Sequence, residues 1–118
     1  MRLHHVQLAI PAGSEESCRA FFCGLLGWVE LSKPPALAAR GGVWLNTGAG
    51  EVHLGVEADF RPARKAHPAF AVDDLDTLAA RLRSVGTNVE FDDSIAWLRR
   101  FYTIDAVGNR LEFLQDGG

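Results

Sequence analysis

Cysteine, surplus positive charge and long apolar runs are all scarce in this sequence. Its two cysteines, Cys18 and Cys23, fall on different faces of one predicted helix, too badly oriented to bridge each other. The formal net charge of −3 removes the simple electrostatic basis for binding nucleic acid. The longest apolar run, residues 21–29, is far short of the roughly 20 residues that a membrane helix needs. We therefore expect free thiols and no binding to nucleic acid or membrane.

The composition is that of an ordinary globular protein. With 118 residues, 47% apolar and 23% charged, the chain has the size and balance of one domain. Gln7 and Pro11 interrupt any apolar core of a signal sequence near the N-terminus. We therefore expect a cytoplasmic location.

Apolar periodicity predicts eight strands and two helices. The first helix has Ser14 as N-cap and ends at Gly27; the second is capped by Asp73 or Asp74 and ends at Gly86. The predicted strands cover residues 3–10, 28–31, 43–47, 51–57, 67–72, 89–92, 100–105 and 110–115.

The chain repeats itself. The distance from the glycine that ends each helix to a polar residue in the last strand is the same in both halves, from Gly27 to His53 and from Gly86 to Glu112. The pattern predicts an α+β fold of two β-α-β-β-β modules, 1–57 and 67–118, joined by a linker at 58–66. A module of about 60 residues buries only ~60% of its unfolded surface, so we expect both to share the core of a single domain.

One face of the predicted strands concentrates imidazole and carboxylate groups. The apolar residues of each strand should lie beneath the helices, which places these groups on the opposite face. Nitrogen and oxygen ligands of this kind suit Fe, Mn, Ni, Co or Zn. The alternative is a polar groove without metal. The residues on this face are His5, Gln7, His53, His67 and Glu112.

Four segments resemble the vicinal oxygen chelate superfamily, which includes glyoxalase I, extradiol dioxygenases, fosfomycin resistance enzymes and bleomycin-binding proteins. These are HHVQLAI at 4–10, LLGW at 25–28, HPAFAVDDLD at 67–76 and GNRLEF at 108–113. The resemblance implies a cupped eight-stranded mixed sheet with the helices on its outer face. It also implies a homodimer, and one divalent transition metal in the cup.

The resemblance also implies a ligand set. By position, the metal ligands fall on His5, His67 and Glu112, and the fourth corner falls on His53, where glyoxalase I has a glutamate. Glu112 is also the first candidate for a catalytic base. Because His53 replaces the glutamate, a mechanism with two glutamates is not expected.

Three further residues are predicted to bind substrate. Strand alternation places either Phe101 or Tyr102 on the ligand face, and similarity to the fosfomycin enzymes favours Tyr102. Arg100 shares the parity of Tyr102, and we expect it either to pair with a substrate carboxylate or phosphate or to be solvated. Gln7 lies on the same face as the predicted ligands.

The remaining candidates concern the walls of the site. Trp44 and Trp97 are interpreted as core residues rather than pocket walls. Arg61, Arg64 and Lys65 in the linker either form an anion-binding rim or only increase solubility.

Two functions from different classes follow. The first is a metal-dependent lyase or isomerase of the glyoxalase type, acting on a small substrate with neighbouring oxygen atoms. The second is a non-catalytic protein that binds a small molecule or antibiotic, resembling the bleomycin resistance proteins. The predicted metal ligands favour the enzyme.

Overall fold

A computed structural model describes residues 1–116, which form two compact units, Met1–Pro62 and a second unit that begins at Ala63. The junction falls inside the predicted linker. The first unit contains β1 (His5–Ile10), β2 (Val29–Leu31), β3 (Val43–Asn46) and β4 (Glu51–Val56). The second contains β5 (Ala69–Ala71), β6 (Glu90–Asp92), β7 (Arg99–Ile104) and β8 (Arg110–Gln115).

The helices are α1 (Glu15–Arg19), α2 (Pro35–Ala38) and α3 (Leu75–Ser84), and α1 continues directly as a π-helical segment, Ala20–Leu25. The periodicity did not predict α2, because its four residues are too few to show an apolar stripe. No helix within residues 1–116 is both long and apolar enough to cross a bilayer.

Each unit has its own four-stranded mixed sheet. The strand orders are β1-β4-β3-β2 and β5-β8-β7-β6. In both sheets the first strand runs parallel to the last, and the other pairs are antiparallel. The α+β fold with two β-α-β-β-β modules is therefore confirmed, and the eight predicted strands are all present.

The repeat extends to strand register. In β4, His53 pairs with Trp44 of the neighbouring antiparallel strand; in β8, Glu112 pairs in the same way with Tyr102. The two strands also share one burial pattern, with three buried residues in the centre and more exposed ends. His53 and Glu112 therefore occupy equivalent positions, as the spacing predicts.

The first strands of the two units correspond as well. Gln7 pairs with His53 across the parallel strands, and Ala69 pairs with Glu112. His5 lies two residues before Gln7, and His67 lies two residues before Ala69. Both histidines therefore stand at equivalent places, one at the start of β1 and the other just before β5.

The start of α1 differs from the prediction. Ser14 occupies the N-cap position, but its hydroxyl donates to the carbonyl of Pro11 at 2.7 Å and accepts no helix N–H. The first-turn residue Glu15 instead accepts the backbone N–H of Gly42 at 3.0 Å, and this bond holds the pKa of the Glu15 carboxyl below its usual range. The helix start is thereby tied to the chain that leads into β3.

The first unit buries the apolar side of its helical segment. Cys18, Phe21 and Phe22 are buried, and the ring of Phe22 stacks on Trp28 with centroids 5.1 Å apart. Neither cysteine forms a disulfide within residues 1–116, and burial raises the pKa of the Cys23 thiol.

Helix α3 covers the core of the second unit. Asp74, one of the two predicted caps, accepts the N–H of Thr77 at 3.1 Å, and Gly86 follows the helix with φ of +82°. The rings of Phe101 and Phe113, which lie on the apolar face of the sheet, have centroids 5.6 Å apart. The helix stripe is buried as predicted and comprises Leu75, Leu78, Ala79 and Leu82.

Asp74→Ala should lower the melting temperature, because α3 loses its cap. The hydrogen bonds from Thr77 hold the pKa of Asp74 below its usual value. The carboxylate therefore stabilises the fold above the ordinary aspartate pKa, and this contribution disappears as the pH falls through the lower pKa of the folded state. Thermal melts of wild type and variant should differ at neutral pH and converge in strong acid. Asp73→Ala is the matched control, and equal melting temperatures for Asp74→Ala and Asp73→Ala would refute the cap.

Candidate metal and substrate site

His67 and Glu112 form a close pair in the second unit. Glu112 lies in the centre of β8 and is 6% exposed. Its Oε1 lies 3.0 Å from His67 Nε2. The backbone N–H of Glu112 donates to the carbonyl of Pro68, which fixes the strand beside the chain that carries His67. Two of the predicted metal ligands are therefore in contact.

The protons of this pair are constrained. His67 Nδ1 lies 2.9 Å from the carbonyl oxygen of Lys65, and because a carbonyl only accepts, Nδ1 must carry a proton. In a neutral imidazole Nε2 then holds a lone pair, which faces a carboxylate oxygen. The contact requires a positive charge between or on the two groups, either a proton or a metal ion.

The chemistry of the pair fits a divalent metal. The 3.0 Å separation is that of an ordinary hydrogen bond, and it is also the spacing of two ligand atoms bound at right angles to an ion at about 2.1 Å. Metal-binding histidines commonly donate their other N–H to a backbone carbonyl, as His67 does. The second unit therefore offers one nitrogen and one oxygen ligand in a suitable arrangement.

Arg100 is engaged inside the protein. Its Nη1 lies 3.3 Å from Glu112 Oε2, and its Nη2 lies 3.6 Å from a carboxylate oxygen of Asp92 and 3.3 Å from the hydroxyl of Ser94. Its Nε is buried and makes no hydrogen bond within the described chain. The guanidinium fork thus fixes the Glu112 carboxylate and leaves Oε1 directed at His67. The predicted pairing of Arg100 with a substrate anion remains a prediction.

Tyr102, which the similarity to the fosfomycin enzymes favours over Phe101, lies beside the pair. It is the cross-strand neighbour of Glu112, and its ring meets the His67 ring edge to face at 5.5 Å. The guanidinium carbon of Arg110 lies 3.9 Å from the centroid of the Tyr102 ring. Phe101 is fully buried on the opposite face.

His53 is the centre of an aromatic stack in the first unit. Its ring stacks on Trp44 at 4.3 Å and on His5 at 4.1 Å, and it is only 7% exposed. Its Nε2 lies 2.9 Å from Glu51 Oε1, and this hydrogen bond holds the pKa of Glu51 below its usual range. His4 Nδ1 lies 2.9 Å from His5 Nδ1.

The stacked pair does not fit a shared metal in this arrangement. The His5 and His53 rings are 15° from parallel, with centroids 4.1 Å apart. Imidazole binds a metal in its ring plane at about 2.1 Å, so one ring would have to turn before both could hold the same ion. Within residues 1–116 no group of three or more His, Cys, Asp or Glu side chains is arranged for a metal ion. His5 and His53 remain ligands predicted from the sequence.

A groove of about 720 Å³ adjoins this stack in the first unit. Gln7 lies along it, and Gly55 leaves room for the Gln7 side chain, since a Cβ at Gly55 would come within 2.5 Å of Gln7 Nε2. Trp44 also lines the groove, and Trp97 is 83% exposed, so the expectation that both pack in a core is wrong. Strand alternation carries the signal that was missed: Val43 and Leu45 are buried, so Trp44 lies on the opposite face, beside its cross-strand partner His53.

Neither the protein-family models nor the curated proteins contain a match to this chain. Several solved structures are similar. A protein from Bacillus anthracis assigned to the glyoxalase family is 43% identical, covers 98% of this chain and 94% of its own, and superimposes with a TM-score of 0.94.

Two more distant structures share the fold. Lactoylglutathione lyase from Agrobacterium tumefaciens is 18% identical with a TM-score of 0.74, covering 97% of this chain and 92% of its own. TnmS3, an antibiotic-binding protein from a Streptomyces species, is 22% identical with a TM-score of 0.69, covering 98% of each chain.

Proposed function

Because the chain belongs to the glyoxalase family of the vicinal oxygen chelate superfamily, we propose that it is a divalent-metal-dependent lyase or isomerase. Its substrate would be a small molecule with neighbouring oxygen atoms. The contact between His67 Nε2 and Glu112 Oε1 carries this proposal. The sequence adds His5 and His53 as further ligands.

The hydrogen bond at Nδ1 leaves Nε2 of His67 as the ring atom that can bind a metal. The carbonyl of Lys65 fixes the proton on Nδ1 and so presents Nε2 as a ligand atom. Arg100 restrains Oε2 of Glu112, which leaves Oε1 for the ion. The pair thus brings one nitrogen and one oxygen ligand atom together on the same side of β8.

The chain's own residues define what the site does with a substrate. A bound divalent ion supplies a Lewis acid for neighbouring substrate oxygens and for the negative charge that develops when a proton leaves carbon. Glu112 is the carboxylate placed to accept that proton. Tyr102 forms a wall beside it. Burial of Glu112 keeps bulk water away from the carboxylate.

The proposal is tested by metal content and proton exchange together. The purified protein should bind one divalent transition metal per chain, and the loaded protein should speed exchange of the carbon-bound protons of hydroxyacetone in heavy water, followed by NMR. Glu112→Gln should abolish the exchange, because the amide cannot accept the proton and is a weaker metal ligand, whereas Glu16→Gln, on the exposed side of α1, should retain it. Absence of stoichiometric metal would refute the proposal.

A non-catalytic binding protein is the second candidate, and the aromatic stack favours it. Trp44, His53 and His5 present parallel ring faces beside the groove of the first unit, which suits a flat apolar ligand. Such a protein requires no metal. If ligand binding survives chelation and His67→Ala unchanged, this candidate replaces the enzyme.

A further inference from the structure

A second feature of the second unit lies outside the metal pair. A groove of about 300 Å³, here called the Tyr102 groove, is lined by Tyr102, Ile104, Arg64, Arg110, Asn88 and Glu90. Ile104 is 44% exposed, and Glu90 accepts a hydrogen bond from Asn88 at 3.1 Å. The groove therefore combines an apolar surface with two cations and one carboxylate already bound to an amide.

The two guanidinium groups of this groove differ from those of nearby arginines in their ion pairs. Arg99 is paired with Asp76, and Arg100 with Glu112 and Asp92. Within residues 1–116, neither Arg64 nor Arg110 forms an ion pair with a carboxylate. A guanidinium is always charged and has five donors suited to carboxylate or phosphate. The pKa of Asp92 is lowered mainly by hydrogen bonds from Ser94 and in smaller part by the charges of Arg100 and Arg110. Arg110 therefore acts on one carboxylate at a distance, and its donors remain open to a direct ion pair.

The backbone holds the two arginines together. The N–H of Ala63 donates to Asn109 Oδ1 at 2.9 Å, and the N–H of Arg110 donates to the carbonyl of Ala63 at 2.8 Å. This reciprocal contact fixes the residue before Arg64 against the residue before Arg110. The Tyr102 ring then orients Arg110 by a cation–π contact. The fold therefore places the guanidinium of Arg110 and the backbone that carries Arg64.

The groove also adjoins the proposed reaction centre. Arg110 and Glu112 are two residues apart on β8, so their side chains leave the same face of the strand and their Cα atoms lie about 7 Å apart. Tyr102 contacts the Arg110 side and pairs with Glu112. A small molecule could reach from Glu112 to the groove.

We propose that the Tyr102 groove binds an anionic group of the substrate, a carboxylate or phosphate, through Arg110 and Arg64. This inference rests on the proposed function, because it treats Glu112 as the reaction centre. The substrate is then a small oxygen-rich anion whose charged group lies beside Arg110 and whose reacting carbon lies beside Glu112, with Tyr102 next to both residues. Tyr102 contacts the part of the molecule between them.

Tyr102 provides a direct reporter, since it is the only tyrosine in the protein. Incorporation of 3-fluorotyrosine gives a single fluorine NMR resonance in the groove. Titration of the metal-free protein with inorganic phosphate or malonate should shift it saturably, and chloride at equal ionic strength should not. Arg110→Gln should weaken binding at least about tenfold, and Arg64→Gln should also weaken it.

The matched control is Arg61→Gln, which removes a linker guanidinium that does not line the groove. No saturable shift with either anion, or equal binding by Arg110→Gln and Arg61→Gln, would overturn the anion site. If Arg110→Gln does not fold, Arg64→Gln carries the same comparison from an exposed position. Because the titration omits metal, failure of metal binding would refute the proposed function without altering this result.

Discussion

His67→Ala should weaken binding of a divalent transition metal by at least about 100-fold, since loss of an outer-shell partner alone costs 10–100-fold. The variant loses the Nε2 atom that lies 3.0 Å from Glu112 Oε1. Of the two ligand atoms proposed in the second unit, only the carboxylate oxygen then remains. Isothermal titration of the metal-free protein with Zn²⁺ or Co²⁺ measures the change. Circular dichroism of both proteins shows whether the fold is retained.

His4→Ala is the matched control for this experiment. It also removes one imidazole, but His4 is exposed and is not a predicted ligand. Because His4 contacts the predicted ligand His5, we expect His4→Ala to lower the metal affinity by about tenfold, the lower end for an outer-shell group. Equal affinities for wild type and His67→Ala would show that His67 does not bind the ion.

Phe113→Ala should lower the free energy of unfolding by about 3–5 kcal/mol, because it opens a cavity in the core of the second unit. Phe113 is only 1% exposed, and its ring packs between Phe70 at 5.7 Å and Phe101 at 5.6 Å. It also follows Glu112 on β8, so its packing fixes the strand that carries the carboxylate. Urea denaturation measures the loss.

Phe91→Ala is the comparison on the same sheet. Phe91 is 41% exposed, and its ring contacts Phe101 and lies near the guanidinium groups of Arg83 and Arg99. Its removal should cost about 1 kcal/mol, since little buried volume is lost. If the two variants lost the same stability, the assignment of Phe113 to the core and Phe91 to the surface would be incorrect.

Strand alternation predicted which face each residue occupies, because it depends only on neighbours along the chain. Leu8 and Ile10 are buried while His5 and Gln7 are exposed, as the pattern indicates. The repeat spacing predicted that His53 and Glu112 occupy equivalent positions, and the shared register confirms it. Local periodicity and internal symmetry were therefore enough for the strands and for the two modules, whereas the arrangement of the strands in a sheet came from the family resemblance.

The contacts within the site were beyond the sequence, because they join different strands. Alternation placed Arg100 on the same face as Tyr102, but the contact of Arg100 with Glu112 joins two strands and depends on their register and on the side-chain rotamers. The stack of His53 between His5 and Trp44 joins three strands. Ser14 had the right residue type for a cap, yet its hydroxyl bonds to the preceding loop.

X-ray absorption spectroscopy of the Zn²⁺-loaded protein tests whether His67 and Glu112 bind the metal. We expect nitrogen and oxygen neighbours at about 2.0–2.2 Å, together with the outer scattering of imidazole carbons. We also expect the imidazole scattering to weaken in His67→Ala. A metal with only oxygen neighbours, or a spectrum identical in the two proteins, would contradict the assignment of His67 and Glu112 as a metal-binding pair.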